Sequence, residues 1–283
     1  MRFNPSAVKM FHNTVGVGGR FRKVPSEDLR VLVYHDVDSG LEKQFSGHLK
    51  DVQNNWRFIG PDEFVDSYSG DALISGRNVH LTFDDGFESN HRIGTQVLPQ
   101  LGICATYFVI PGFVESSMKG MSLKFISERL FPEELIPEDV VKNLSMSWNQ
   151  IRELSSFGHE IGSHTMTHPR LSELLDSEIV KEFVDSKTKI ADETGRAPRQ
   201  LAITFGDIGS ISRRVLVLAY EHYEVVHTSI RGSNRDRGPL RTVCRETVHP
   251  WDTKQFVLAT LKGTLDIQYR KSKLIMDSWT EKN

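Results

Sequence analysis

The chain has 283 residues, 38% hydrophobic and 25% charged, with a formal net charge of −2. That balance suits a soluble globular protein of one large domain or two small ones. With no basic run interleaved with aromatics, it offers no surface that would track a phosphate backbone, and nucleic acid is not expected as a partner.

Met1 to Arg22 carries four basic residues and no continuous apolar core, which makes a poor export signal. Residues 1–27 are expected to be a lead-in, and the glycine-rich Val15–Gly19 is too short for a phosphate loop. No stretch approaches the ~20 apolar residues that a membrane span needs. The cytoplasm is the expected compartment. Cys104 and Cys244 do not make a disulfide framework.

The first expected strand is Val31–Tyr34, followed by a helix in which Leu41, Phe45, Leu49 and Val52 share a face. Val79–Phe83 and Ile103–Ile110 read as further strands, and so do Leu201–Phe205 and Val225–Ile230. Their near-continuous apolar character predicts burial on both faces, as in a parallel sheet. Ile179, Phe183 and Ile190 mark another helix. A third contains Val215, Leu216, Leu218 and Ala219, with Ser210 or Ser212 as its cap. Strands alternating with helices predict an α/β barrel over residues 28–268. Residues 111–146 break the rhythm and read as an insertion, either a lid or a remote packing elaboration. Residues 269–283 read as a polar, fraying surface helix.

Two clusters carry chemistry. Asp84 and Asp85 stand side by side after Val79–Phe83, just before Gly86. Within a strand, neighbouring side chains point to opposite faces, but at a turn both can approach one centre. Like charges that close raise a pKa unless a cation neutralises them. A bound metal would take one carboxylate and leave the other free as a base. Downstream, His164 and His168 lie four apart, so one turn brings both rings to one side. Imidazoles suit zinc and similar ions. Two histidines and an aspartate make an open three-ligand site with room for water and substrate. His159 reads as structural.

Thr82-Phe83-Asp84-Asp85-Gly86 and His164-Thr165-Met166-Thr167-His168 resemble the first two motifs of the polysaccharide deacetylases, the NodB-like carbohydrate esterases. Val33–Val37, Ala105–Val109 and Met146–Leu154 resemble further segments of that family, so the likeness runs from about Val31 to His249. It implies an irregular (β/α) barrel, a single domain with an insertion. Asp85, His164 and His168 would hold a divalent metal, most often zinc, and Asp84 would be the general base. A backbone N–H near Phe205 or Gly206 would receive the oxyanion, although Thr204 stands where many members have proline. Arg245 would fix the base. His249 is the first candidate for the acid that protonates the leaving amine, ahead of His35 and His227. His35, Phe205, Gly206 and Trp148 are the expected substrate contacts, and Trp251 is a second candidate sugar-stacking ring.

The resemblance implies a hydrolase that removes an N-acetyl, or sometimes an O-acetyl, group from a sugar or glycan. An intermediate of bacterial surface polysaccharide assembly is the expected substrate. The alternatives are an amidase acting on a non-sugar C–N bond with the same metal chemistry, and a barrel that binds glycan or a partner protein without catalysis.

Overall fold

A computed structural model describes residues 25–69, 75–131, 144–235 and 242–280. Most of the expected lead-in, part of the insertion and the last three residues lie outside these ranges. Among these residues, nine parallel strands form one curled sheet. They are β1 (Asp28–Tyr34), β2 (Arg57–Phe58), β3 (Arg77–Phe83), β4 (Ala105–Val109), β5 (Glu160–Ser163), β6 (Gln200–Ala202), β7 (Val225–His227), β8 (Thr242–Val243) and β9 (Glu246–Thr247). The path runs β8-β7-β6-β5-β4-β3-β1-β9, with β2 on the start of β3. The end strands β8 and β9 are joined by Cys244 and Arg245 alone, so the sheet is an irregular (β/α) barrel with a seam there.

Period-two alternation sorts the strand residues. Leu32, Tyr34, Val79, Leu81, Phe83, Ala105, Tyr107 and Val109 face the helices and form the largest core. In that core the helix Glu42–Gln53 buries Phe45, Leu49 and Val52, as its spacing predicts. The helix Asp176–Thr194 buries Ile179, Phe183 and Ile190. Ser212, not Ser210, caps the helix Arg213–Tyr220 through the Val215 N–H. The last helix, Asp266–Thr280, begins earlier than expected and buries Met276 in a second core, so it is packed into the domain.

The barrel interior is partly polar, and its hydrogen bonds run one way. The Ile59 carbonyl can only accept, so His80 Nδ1 carries the proton (3.1 Å). His80 Nε2 then accepts from the Thr106 hydroxyl (2.9 Å), whose oxygen accepts from Gln200 Nε2 (3.0 Å). Gln200 Oε1 accepts from His227 Nε2 (2.8 Å). Phe64 stacks on His80, and Phe108 fills the space above Gly162. A Cβ at residue 162 would lie 2.5 Å from the Phe108 ring, so this strand position requires glycine. His227 is therefore a buried interior residue, not a group at the mouth.

The buried histidines make stability depend on pH. Burial lowers His80 to about 4 and His227 well below its ordinary value, and it lowers His48 and His159 too. In the unfolded chain each titrates near 6.5. The folded values are depressed, so the stabilisation is complete above about pH 6.5 and is lost as pH falls toward 4. His80 alone contributes about 3 kcal/mol of this loss. Thermal melting at constant ionic strength should show the melting temperature dropping steadily from pH 6.5 to 4.5. A flat profile would mean that these rings are not held neutral.

Candidate active site

Each group the sequence singles out for chemistry, apart from Trp148 and the interior His227, follows the C-terminal end of a strand. His35 follows β1, Asp84 and Asp85 follow β3, His164 follows β5, Phe205 lies three residues beyond β6, and His249 lies two beyond β9. Parallel strands bring these ends to one mouth of the barrel. The Asp84 N–H still bonds the Tyr34 carbonyl (3.0 Å), so Asp84 stays in register with the inward-facing His80 and Thr82. Asp85 then turns with φ 71°. That left-handed turn puts two adjacent carboxylates at one centre, which regular strand geometry forbids.

His168 and Phe205 are also left-handed, at φ 59° and 60°, as is Thr165 at 63°. These four are the only non-glycine residues in that region among those described. Backbone strain gathered at one place is a mark of a functional site. The loop that carries the histidines is held from behind. Glu182 accepts the N–H groups of Met166 and Thr167, 2.8 Å each, and the Thr167 hydroxyl at 2.7 Å.

Asp85 Oδ1 lies 3.5 Å from His164 Nε2 and 3.8 Å from His168 Nε2. The three ligand atoms lie within 4.8 Å of one another. His164 Nδ1 donates to the Ala202 carbonyl (2.7 Å) and His168 Nδ1 to the Arg129 carbonyl (3.1 Å). Carbonyls only accept, so both Nε2 lone pairs are free and aimed at Asp85. Metal-ligating histidines are oriented in just this way. The donor set therefore fits a divalent cation. Arg129 lies in the expected insertion, which thus touches the site through its backbone.

The two carboxylates are driven apart in acidity. Burial pushes Asp85 up to about 7, with the Asp84 charge adding to this and His164 opposing it. Burial acts in the same sense on Asp84, but Arg245 outweighs it and holds Asp84 well below the usual carboxylate range. Arg245, 1% exposed, donates from Nη1 and Nη2 to the two Asp84 oxygens at 2.7 and 2.8 Å. A bidentate fork of this kind fixes orientation as well as charge. Asp84 Oδ2 is 4.0 Å from His164 Nε2, so the free carboxylate stands beside the ligand cluster.

The remaining candidates divide. The Phe205 ring packs on His168 (4.9 Å), and the Arg170 guanidinium lies over the same ring (4.4 Å). The Gly206 N–H donates to the Thr204 carbonyl (2.7 Å). His35 is close enough to Asp84, Arg245 and His168 for their charges to interact, and its buried Nδ1 has no hydrogen-bond partner. His249 stacks flat on Trp251 (4.6 Å, 4°), which is 57% exposed. Trp148 is not brought to this cluster: it is 5% exposed and belongs to the main core. His159 is structural, accepting the Ala105 N–H and bonding the Gly94 carbonyl.

The sequence model of the polysaccharide deacetylases matches residues 74–221, more than half of the chain and the whole span from the aspartates to the histidines. The chain belongs to the polysaccharide deacetylase family. Among relatives, YxkH of Bacillus subtilis (strain 168) is 27% identical over 218 residues, covering 74% of this chain and 68% of that protein. The peptidoglycan-N-acetylglucosamine deacetylase PgdA of Listeria monocytogenes is 24% identical over 47% of this chain, which spans 22% of PgdA. Among solved structures, the Streptococcus pyogenes deacetylase PplD superposes with TM-score 0.65 at 20% identity, covering 83% of this chain and 98% of that one. IcaB from Ammonifex degensii gives 0.63 at 22% identity, covering 83% and 97%. At these identities, the structural likenesses establish the deacetylase barrel fold. No helix among the described residues is long and apolar enough to cross a membrane.

Proposed function

We propose that this protein is a metal-dependent hydrolase that removes N-acetyl groups from a glycan of the bacterial surface. The observation that carries the reading is the meeting of Asp85, His164 and His168 beside a carboxylate that Arg245 keeps ionised. The names of relatives such as PgdA point to N-acetylated glycans as the substrate class.

In this reading Asp85 Oδ1 and the two histidine Nε2 atoms hold a divalent ion, and the N/O donor set suits zinc. Bound there, the ion supplies Lewis acidity to the acetamide carbonyl and lowers the pKa of a water molecule. Asp84 would take the proton from the attacking water molecule as the water oxygen bonds to the carbonyl carbon. The Gly206 N–H is committed to Thr204, which leaves the Phe205 N–H as the donor of that turn for the oxyanion. The C–N bond then breaks, and the nitrogen must leave as a protonated amine. We assign that proton transfer to His35. Its ring lies near enough to Asp84 for their charges to interact, and its buried Nδ1 has no other hydrogen-bond commitment, so it is the group placed to carry the proton that Asp84 receives on to the nitrogen.

The test is acetate release from N-acetylated chitooligosaccharides before and after dialysis against a chelator, with metal measured by elemental analysis. Activity should vanish with the metal and return on adding Zn2+. Undiminished acetate release from metal-free protein would overturn the metal assignment. No release from any N-acetylated glycan would overturn the deacetylase reading.

A further inference from the structure

Arg245 occupies an unusual place in the chain. It lies in the two-residue link between β8 and β9, the two ends of the sheet, which are not hydrogen-bonded neighbours among the described residues. A link across an open seam has no strand ladder to fix it. Yet its side chain must meet both Asp84 oxygens within 0.1 Å of the same length, 2.7 and 2.8 Å.

A segment after β7 substitutes for the missing ladder. The Arg245 N–H donates to the Ile230 carbonyl (3.0 Å), and Arg231 reaches Glu246 (3.0 Å) and the Thr247 carbonyl (2.6 Å). Asn234 makes a two-point contact. Its Nδ2 donates to the Cys244 carbonyl and its Oδ1 accepts the Cys244 N–H, 2.8 Å each. One side chain thereby satisfies both backbone groups of the residue before Arg245, as a neighbouring strand would. Asn234 is itself 3% exposed, and its own N–H is anchored on the Leu29 carbonyl of β1 (2.9 Å).

We propose that Asn234 is a positioning residue for catalysis: by clamping Cys244 across the barrel seam, it aims the Arg245 guanidinium at Asp84. The proposal rests on the reading of Asp84 as the base. The Arg245 backbone and Nε are held on the Ile230 and Thr228 carbonyls, so the Cys244 peptide is the remaining hinge of the link. Asparagine suits the task because its amide presents one donor and one acceptor side by side, matching a peptide edge. Aspartate keeps only the acceptor, and alanine keeps neither.

Two measurements on the full, metal-loaded chain decide the matter. The first is steady-state acetate release. Asn234→Ala should lower kcat by about tenfold or more, because a small misplacement of a catalytic group is costly. KM and bound metal should stay as in the wild type, since Asp85, His164 and His168 lie on the loops after β3 and β5, away from this link. In an Arg245→Lys background, Asn234→Ala should cost little more, because residues acting through one another are not additive. Asn234→Asp, which retains the bond to the Cys244 N–H, should fall between wild type and alanine and serves if the alanine variant does not fold. Equal losses with and without Arg245 would reduce Asn234 to a stabilising residue and overturn the proposal.

The second measurement needs no turnover. With 15N-labelled arginine, a bidentate clamp holds the Nη1 and Nη2 protons of Arg245 in separate resonances. They should merge in Asn234→Ala, and unchanged separation would overturn the proposal. If the wild type released no acetate, the deacetylase reading would fail, while these resonances would still decide whether Asn234 aims Arg245.

Discussion

Asp84→Asn is expected to lower acetate release by roughly 10²–10⁴-fold, the range for a positioned general base, while the metal bound per chain stays unchanged. Asparagine is nearly isosteric and preserves the turn into Asp85. It removes the charge and the basic oxygen, and the neighbouring carboxylate of Asp85 does not replace them, being committed to the histidine cluster. The three ligand atoms are untouched, so the ion should remain. Arg245 is left facing a neutral amide at 1% exposure, and an uncompensated buried charge costs about 3–5 kcal/mol. The variant should therefore melt lower while retaining its metal. Elemental analysis and acetate assay on the same preparation check both halves. Full turnover in this variant would show that Asp84 is not the base.

Much of this site is legible from the residues alone, and the reason is local. Asp84-Asp85-Gly86 follows an apolar run, and the left-handed turns at Asp85 and Gly86 are what bring both acids to one centre. His164 and His168 are near neighbours in sequence, so a single loop places them. The strands Asp28–Tyr34 and Arg77–Phe83 are seven residues each and show their burial directly. What is not legible is the long-range closure. β8 and β9 have two residues apiece, too few for any periodicity to register. Without the seam, Arg245 reads as a surface arginine as readily as the partner of a carboxylate 161 positions away. Asn234 and Glu182 carry no signal either, because their roles consist of bonds to backbone groups. Trp148 shows the converse error: an aromatic suited to stacking on sugar lies in the main core, because the capped helix it starts needs an apolar anchor against the barrel. His35 is readable as a substrate contact or a lower-ranked candidate acid, but its coupling to Asp84 requires the β1–β3 register.

His168→Ala should fail in a different way from Asp84→Asn, and the difference separates a ligand from a base. Replacing residues that merely orient a metal ligand costs about 10–100-fold in affinity. Removing the ligand itself should exceed that, and turnover should be lost with the ion. His168 is held by the Arg129 carbonyl at Nδ1, by its own N–H on the Thr165 hydroxyl (3.1 Å) and by Phe205 against its ring, so the imidazole is fixed with its Nε2 toward Asp85. Its backbone sits at φ 59°, where alanine is strained, and part of any effect of alanine would be conformational. His168→Asn removes that ambiguity, because asparagine tolerates the left-handed region while offering no imidazole. Both variants should bind Zn2+ weakly in equilibrium dialysis. In the asparagine variant, excess Zn2+ should restore only a small fraction of turnover, since a two-ligand site cannot hold the ion in register with Asp84. If His168→Asn bound zinc as tightly as the wild type, the ion would have to be held by other groups, and the paired imidazoles would need another explanation.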